Sequence, residues 1–408
     1  MNVYRIKNVA DINRKTLPED TDPEFEFKYI DISSVGSDGK ITIPDKTTTF
    51  FSAPSRARRI APEGSVIVST VRTYLRAITT VPPSHEPLVF STGFAILEAT
   101  SGVDKRFLGY HCRSQHFIDE ITARSTGVSY PAINPSEIGD LPIRLPSLEE
   151  QRRIADFLDA ETARIDSLTA ARQKMASLLA LKRDRLIEAY LQIDSTAHGI
   201  AFSPLKYLAA EVTVGIVITP AKWYVTSGGV PALRGTNVRP GKISADSLVR
   251  ISNAGHLENR KSRLRSGDVV VVRTGQAGSA AVVPPALDGA NCIDLIIVRP
   301  GPKLFPRYLE YVLNSSYARR HVEEHSTGSI QAHFNVGAMK QVPIPSISRQ
   351  HQERLVTVID DATARIDRLN KRIQDQTTLL VERRRALITA AVTGQFDVST
   401  ASGRGVAD

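Results

Sequence analysis

The sequence has little cysteine, few aromatic side chains and no long apolar run. Its two cysteines, Cys112 and Cys292, have no partner residues at zinc-finger spacing, which excludes a disulfide scaffold and indicates buried reduced thiols. The chain has no run of about 18 apolar residues, and it does not begin with the apolar stretch of a signal peptide. We therefore expect a cytoplasmic protein without a membrane partner, and at 41% hydrophobic residues it has enough apolar side chains for real cores.

Glycine and proline are missing from two long stretches, residues 147–192 and 348–393. Both are rich in alanine, leucine, arginine and acidic residues, with apolar residues at helical spacing. Ser147 and Glu150 form a capping-box pattern at the start of the first stretch. Each stretch predicts one helix of about 45 residues, roughly 68 Å long.

The two stretches are copies of each other. Thr-Ala-Arg-Ile-Asp occurs at 162–166 and again at 363–367, an offset of 201 positions. The same offset relates Pro142-Ile143 to Pro343-Ile344 and, in more divergent sequence upstream, Arg72-Thr73 to Arg273-Thr274. A tandem duplication with similar helices and diverged domains is predicted.

The segments before the helices are rich in turn residues and contain short β-type runs. Four runs are predicted to be strands: 65–69, 93–97, 268–272 and 292–298. The predicted class is α+β, with strand-rich domains at 1–142 and 195–345, helical segments at 143–194 and 346–398, and a disordered tail at 399–408.

Both helices carry apolar residues at heptad spacing, and a helix this long cannot bury its stripe against its own domain alone. We predict an antiparallel coiled coil with pseudo-two-fold symmetry; the alternative is that each helix packs separately on its own sheet. The residues predicted to pair the helices are Ile154, Leu158, Ile165, Leu168, Leu179, Leu186, Leu355, Ile359, Ile366, Leu369, Leu380 and Leu387. Apolar residues outside these positions are expected to cover the domains or to bind partner helices, namely Phe157, Leu178, Leu181, Ile187 and Leu191.

The formal net charge is +9, which favours a polyanionic partner. An antiparallel pair of equivalent helices would separate two related domains, an arrangement suited to two half-sites on one duplex. Because the domains have diverged, the half-sites are expected to differ.

The segments at 141–143, 150–154, 162–166 and 181–187, most of them repeated in the second copy, resemble the DNA specificity subunit of type I restriction-modification systems. The resemblance covers essentially the whole chain, although the second helix begins with a different sequence, at 349–355. It implies two target-recognition domains that read a bipartite, asymmetric site in double-stranded DNA. It also implies a non-catalytic subunit that recruits two methyltransferase subunits and motor/endonuclease subunits, with S-adenosylmethionine, ATP and Mg²⁺ bound by those partners.

The sequence contains no convincing catalytic motif of its own. The segment 36–40 has the wrong spacing for a phosphate loop, and the segment 134–136 lacks the second proline and the aromatic residue of an adenine methyltransferase motif. Glu26 and Lys28 have no further acidic residue to complete a nuclease site, and the histidines are scattered. Two other classes remain open: a stand-alone bipartite DNA-binding regulator, and an enzyme with an unrecognised site.

The residues expected to contact DNA are polar side chains in glycine-rich loops. In the first domain they are Lys40, Arg56, Arg58, Arg59, Arg72, Tyr74, Ser125, Thr126 and Gly127. In the second domain they are Arg234, Asn237, Arg239, Arg273, Thr274, Gln276, Ser326, Thr327 and Gly328. No catalytic or metal-binding residue is predicted.

Overall fold

The structure is a computed structural model that describes residues 2–127, 130–191, 201–324 and 334–398. The chain divides into two compact units. The first unit contains Met1–Gln173 and Gln374–Asp408, and the second contains Lys174–Ile373. Each unit therefore contains one strand-rich domain and one half of each long helix.

The first copy contains eleven strands and four α-helices among its described residues. The strands are β1 (Asn2–Arg5), β2 (Ala10–Ile12), β3 (Lys15–Thr16), β4 (Glu26–Ile30), β5 (Thr48–Thr49), β6 (Ala57–Ile60), β7 (Val66–Ser69), β8 (Ile78–Thr80), β9 (Leu88–Ser91), β10 (Phe94–Ala99) and β11 (Pro142–Leu145). The helices are α1 (Lys105–Arg113), α2 (Gln115–Arg124), α3 (Pro135–Gly139) and α4 (Leu148–Leu191).

Two sheets and a strand pair form the first domain. One sheet has the order β2-β10-β7-β8 and is antiparallel throughout. The other has the order β3-β6-β9-β4-β5, in which only β4 and β9 are parallel. Strands β7 and β9 are buried along their whole length, as expected of short apolar runs between turn signals.

The second copy contains twelve strands and five α-helices in its described part. The strands are β12 (Phe202–Pro204), β13 (Ala209–Val214), β14 (Tyr224–Val225), β15 (Val230–Leu233), β16 (Val238–Arg239), β17 (Lys242–Ile243), β18 (Val249–Ile251), β19 (Val269–Val272), β20 (Ala280–Val282), β21 (Asn291–Cys292), β22 (Leu295–Pro300) and β23 (Pro343–Pro345). The helices are α5 (Asn253–Glu258), α6 (Pro306–Asn314), α7 (Ser316–Glu324), α8 (Val336–Gln341) and α9 (Arg349–Thr393).

The second domain repeats the framework of the first. Its antiparallel sheet β13-β22-β19-β20 corresponds to β2-β10-β7-β8, and the pair β12-β23 corresponds to β1-β11. The second sheet, β14-β18-β15-β21, has a different strand order from β3-β6-β9-β4-β5, but its one parallel pair, β15-β21, lies at nearly the same positions as β4-β9 when the offset of 201 is applied. The runs predicted at 65–69, 93–97 and 268–272 are strands, whereas the run at 292–298 is divided between β21 and β22, with Asp294 in a left-handed conformation between them.

The long helices α4 and α9 begin with equivalent contacts. The Ser147 hydroxyl accepts from the Glu150 N–H at 3.2 Å, and the Ser348 hydroxyl accepts from the His351 N–H at 3.3 Å. These contacts satisfy amide groups that have no partner inside the helix. The two predicted long helices are confirmed, to within a few residues at their ends.

Within each unit the halves of α4 and α9 are paired. In the first unit Asp166 lies 3.3 Å from Arg384, and Arg172 donates to Gln376 further along. Residue numbers rise on α4 as they fall on α9, so the halves are antiparallel. In the second unit Arg183 pairs with Asp367 at 2.7 Å.

The predicted pairing residues differ in burial. Ile154, Leu158, Ile165, Ile359 and Ile366 are buried. Leu179, Leu186, Leu355, Leu369, Leu380 and Leu387 are partly buried. Leu168 is 44% exposed, whereas the neighbouring Thr169 is partly buried. The more buried residue at this point of α4 is therefore one position later than the heptad pattern predicts. Thr162 and Thr363 are buried along the same helix faces.

The long helices also pack on the strand-rich domains. The structure thus has both the predicted pairing of the helices and the packing of each helix on a domain, which was the alternative. Ile154 and Leu158 of α4 share one core with Ile388 of α9 and with helices α1 and α2. In the second unit Ile187 and Leu191 share a core with Val356 and Ile359.

Of the additional apolar residues, Phe157, Ile187 and Leu191 cover domain cores. Leu178 and Leu181 are instead more than half exposed. Among the described residues no helix is both long and apolar enough to cross a membrane.

Candidate nucleic-acid interface

The strand-rich domain of each unit is attached to its long helix by the same set of hydrogen bonds. In the first unit the Asp159 carboxylate accepts from the Tyr110 hydroxyl at 2.6 Å and from Arg106 at 2.8 Å. In the second unit the Asp360 carboxylate accepts from the Tyr311 hydroxyl and from Arg307. All three positions are related by the offset of 201.

These contacts lie in partly desolvated surroundings. Burial, together with the hydrogen bond to Asp159, raises the pKa of Tyr110 to about 12. Burial and the bond to Asp360 likewise raise the pKa of Tyr311 to about 12. Both phenols therefore stay protonated and remain donors at neutral pH.

A buried glutamine makes a second shared attachment. The Gln151 side chain accepts from the Asp104 N–H and donates to the Pro146 carbonyl. The Gln352 side chain accepts from the Phe305 N–H and donates to the Ile347 carbonyl. Each glutamine thus fixes the start of a long helix to the N-terminal end of a domain helix, α1 in the first unit and α6 in the second.

The loop that carries Arg72 is the best organised candidate surface of the first domain. Arg72 is exposed and has a left-handed backbone with a φ of 51°. Its N–H donates to the Pro131 carbonyl, and its guanidinium lies 4.5 Å from the centre of the Tyr130 ring. A stacked arginine whose guanidinium has no hydrogen bond to a described residue is suited to bidentate contacts with phosphate or base edges.

The structure brings the two repeated loop motifs of the first domain together. The Thr73 and Ser125 hydroxyls are 2.8 Å apart, and Thr126 pairs with Ala132. Gly127 has a φ of 109°, a conformation that side chains rarely adopt. The predicted loop at 125–127 therefore lies directly beside Arg72.

The other candidates of the first domain are more dispersed. Arg56 and Tyr74 are exposed, whereas Arg58 is half-buried and stacks on Phe50 at 4.5 Å. Arg59 is half-buried, and burial lowers its pKa. Lys40 is exposed and points towards Asp166 of α4 at 3.5 Å rather than towards the Arg72 loop.

In the second domain, the predicted DNA contact Asn237 instead stabilises a turn. Asn237 is only 1% exposed. Its carbonyl oxygen accepts from the Arg234 N–H and its amide donates to Ser247, so the side chain stabilises the turn and is not presented to solvent. Arg239 is exposed, and Arg234 is partly buried.

The second copy of the arginine-threonine pair is neutralised within the protein. Arg273 forms an ion pair with Asp294 at 2.6 Å and donates to the Phe334 carbonyl, while Thr274 donates to the same carboxylate. Gln276 is exposed. Ser326, Thr327 and Gly328 lie outside the described residues.

One arginine near the Arg72 loop was not among the predicted DNA contacts. Arg76 has a left-handed backbone with a φ of 58°. The sequence offered no signal for this conformation, because arginine does not favour it. Tyr130, which ends the loop predicted to contact phosphate, is 65% exposed.

The segments considered for catalytic chemistry have structural roles. The glycine segment at 36–40 forms a tight turn in which the Gly39 N–H donates to the Gly36 carbonyl and the Gly36 N–H donates to the Lys40 carbonyl. Asn134 precedes helix α3, and its backbone N–H donates to the Glu137 carboxylate. Across the described part of the chain, no group of three or more His, Cys, Asp or Glu side chains is arranged to hold a metal ion.

Comparisons with known proteins agree with this architecture. Residues 1–175 match the family model described as type I restriction modification DNA specificity domain. The chain is 21% identical over 319 residues to the EcoBI specificity subunit of Escherichia coli, which is 72% of this chain and 66% of that protein. It is 23% identical over 254 residues to the EcoKI specificity subunit of Escherichia coli strain K12, which is 58% of this chain and 54% of that protein.

The chain thus spans less than two thirds of the length of both relatives. A solved structure, described as showing complex assembly and conformational transition of the type I R-M system, is similar with a TM-score of 0.69. The match has 24% identity and covers 97% of this chain and 98% of that one, and it shows the fold.

Proposed function

We propose that this chain is the specificity subunit of a type I restriction-modification system, a proposal supported by the match of residues 1–175 to the type I restriction modification DNA specificity domain. The two strand-rich domains would be target-recognition domains, each reading one half of a bipartite, asymmetric site in double-stranded DNA. The chain would act in the cytoplasm.

The observation that carries this proposal is a shared framework with different loops. Tyr110–Asp159 and Tyr311–Asp360 attach the two domains to their helices in the same way. The loops on those domains differ, since Arg72 is exposed and stacked on Tyr130 whereas Arg273 is paired with Asp294. Two equivalent supports with unlike surfaces are what the recognition of two unlike half-sites requires.

The chemistry of restriction and modification is assigned to partner subunits. Two methyltransferase subunits would bind S-adenosylmethionine and methylate adenine, and motor/endonuclease subunits would use ATP and Mg²⁺. This chain would supply sequence recognition and would not be catalytic by itself. Its formal net charge of +9 suits a DNA-binding role.

Exposed leucines on the long helices favour a subunit of a complex over a stand-alone regulator. Leu178 and Leu379 are equivalent positions, and they are 55% and 62% exposed. A regulator that works alone has no use for apolar side chains at such positions, whereas a protein partner would bury them.

A methylation assay tests the proposal. The chain, its modification subunits and the mixture are incubated separately with target DNA and labelled S-adenosylmethionine. We expect site-specific adenine methylation by the mixture only. Methylation by this chain alone, or the same site specificity from the modification subunits without it, would contradict the proposal.

Partner binding can be tested in the same system. The double variant Leu178→Glu with Leu379→Glu should lose co-purification with the modification subunits while keeping its thermal stability. The control is Ser177→Glu with Thr378→Glu, which places the same charges on the next exposed position of each helix. Equal co-purification of both double variants would exclude these leucines from the partner surface.

A further inference from the structure

A cavity of about 330 Å³ lies in the first unit between the strand-rich domain and the paired helix halves. Five of its lining side chains are cationic, and two are carboxylates, Asp38 and Asp166. The cations are Lys40, Arg76, Arg113, Arg384 and Arg385. They come from the domain and from α9, so the cavity is a product of the fold and not of one sequence motif.

The two carboxylates neutralise only part of this charge. Asp166 is shared between Lys40 at 3.5 Å and Arg384 at 3.3 Å. Asp38 lies 3.9 Å from Lys40 and also accepts from its backbone N–H. Together the two carboxylates therefore pair with only two of the five cations, Lys40 and Arg384.

The other three arginines have no carboxylate partner among the described residues. Arg76 donates to the neutral Gln115 side chain at 2.7 Å, and Arg113 donates to the Gly109 carbonyl and stacks on Tyr110. Arg385 forms no ion pair with a described residue. Desolvation and the neighbouring Arg385 lower the pKa of Arg76, which reflects repulsion between like charges.

Two further carboxylates attract these arginines without forming an ion pair with them. Asp119 accepts from the Gln115 amide and attracts Arg76, and Asp159 accepts from Arg106 and Tyr110 and attracts Arg113. Among the side chains that line the cavity, the five cations outnumber the two carboxylates.

The second unit provides a natural comparison at the same place. The positions 201 residues after Lys40, Arg76 and Arg113 are Gly241, Ala277 and Asn314, and Arg385 corresponds to Asp184. The equivalent cavity, lined by Arg183, Asp184, Gly241 and Asn314 among others, has a volume of only about 40 Å³.

The smaller cavity of the second unit is also lined by an acidic side chain that the first unit lacks. This residue is Glu310, which corresponds to Gly109 of the first unit. The buried Glu310 carboxylate accepts from the Val282 N–H and from Arg307. Charge and volume have therefore changed together between the two copies.

We propose that the cavity of the first unit binds a phosphate group, and that the second unit has no equivalent site. Arginines without carboxylate partners at the edge of an open space are suited to a doubly charged tetrahedral anion. The phosphate could come from the DNA backbone, a source that rests on the proposed function, or from a free polyphosphate, a source that does not.

Calorimetric titration of the full chain with pyrophosphate at physiological salt tests the site. We expect one bound pyrophosphate per chain. Arg76→Ala, Arg113→Asn and Arg385→Asp introduce the residues of the second unit, and each should weaken binding by about ten-fold or more, as expected for the loss of a charge-assisted contact. Thermal unfolding shows which variants fold. If Arg113→Asn does not fold, the variants of the more accessible Arg76 and Arg385 test the site.

Arg164→Ala is the matched control, because it removes an exposed arginine from α4 outside the cavity and should leave pyrophosphate binding unchanged. Absence of pyrophosphate binding at millimolar concentration would overturn the proposal. Binding that none of the three cavity variants weakens would overturn it as well.

Repeating the titration with saturating target duplex distinguishes the two sources. Loss of pyrophosphate binding would identify the occupant as a DNA phosphate, and unchanged binding would identify a free ligand. A chain that binds pyrophosphate but no duplex would support this site while contradicting the proposed function.

Discussion

The Asp166 carboxylate on α4 lies 3.3 Å from the Arg384 guanidinium on α9. The same pair of residue types recurs at the positions 201 residues away, where Arg183 donates to Asp367 at 2.7 Å. The duplication thus preserves a contact between the copies as well as the residues within each copy. Such a contact fixes the register of the helix halves in each unit.

The seam between the helix halves can be tested with two variants three residues apart. Ile165 is 4% exposed, whereas Leu168 is on the outer side of the same helix. Ile165→Lys places a further positive charge beside the cations of the cavity that Ile165 lines, and it should lower the free energy of unfolding by about 3 kcal/mol or more. Leu168→Lys should change it by less than about 0.5 kcal/mol. Urea unfolding measures both, and equal effects would contradict the observed seam.

The attachment of the first domain to α4 depends on the Tyr110 hydroxyl. Tyr110→Phe removes a hydrogen bond to the Asp159 carboxylate and should cost about 1–2 kcal/mol of unfolding free energy. Tyr29→Phe is the control, because the Tyr29 hydroxyl is buried without a hydrogen-bond partner in the described structure. Removing that hydroxyl should cost nothing measurable. A Tyr110→Phe variant as stable as Tyr29→Phe would exclude the attachment role.

Stability should fall in mild acid because of His111. Burial and the neighbouring His116 lower the pKa of His111 from 6.5 to about 4, against the opposing effect of its hydrogen bond to Pro142. The folded protein therefore takes up this proton less readily than the unfolded chain, so the stability contributed by neutral His111 is present above pH 6.5 and is lost as the pH falls towards 4.

The expected loss from this histidine is about 2 kcal/mol at pH 5 relative to pH 8. His111→Gln should reduce the difference in unfolding free energy between pH 8 and pH 5 by that amount. His85→Gln, which removes an exposed histidine, is the control. An unchanged pH dependence in His111→Gln would show that the imidazole is not buried in its neutral form.

The sequence predicts the long helices well because their signals are local. The absence of glycine and proline and the serines at 147 and 348 place both starts within a residue or two. The residues of the helix–helix contact are predicted less well. Heptad counting places Leu168 in the contact, but Leu168 is exposed and the neighbouring Thr169 is partly buried. A search for apolar residues misses such positions because threonines occupy some of the inner faces of the helices.

The candidate interface depends on contacts that a single sequence does not show. The repeated arginine-threonine pair marks equivalent positions, but nothing near Arg273 in sequence indicates that Asp294 neutralises it. Similarly, Asn237 is of a residue type that reads base edges, but its side chain is buried in a turn. Partners 10 to 21 residues away decide both cases.

The two arginines at equivalent positions should therefore behave differently on mutation. Arg72→Ala should weaken binding to target DNA by about ten-fold, with little effect on folding. It should also reduce the slope of log K against log salt concentration by about one, the amount expected for the loss of one phosphate contact. Arg273→Ala leaves Asp294 unpaired and should lower the thermal stability instead. Binding isotherms at several salt concentrations and thermal melts separate the two. The opposite assignment of effects would contradict the interface.

Independent reading of the two half-sites is tested most directly by a domain exchange, in which methylated adenines are mapped in DNA from cells that carry the complete system. Residues 1–142 are replaced by the corresponding domain of a relative that recognises another sequence, while residues 195–345 are kept. We expect one half of the bipartite site to change and the other half to be retained. A change in both halves, or in neither, would show that the two domains do not read two half-sites independently.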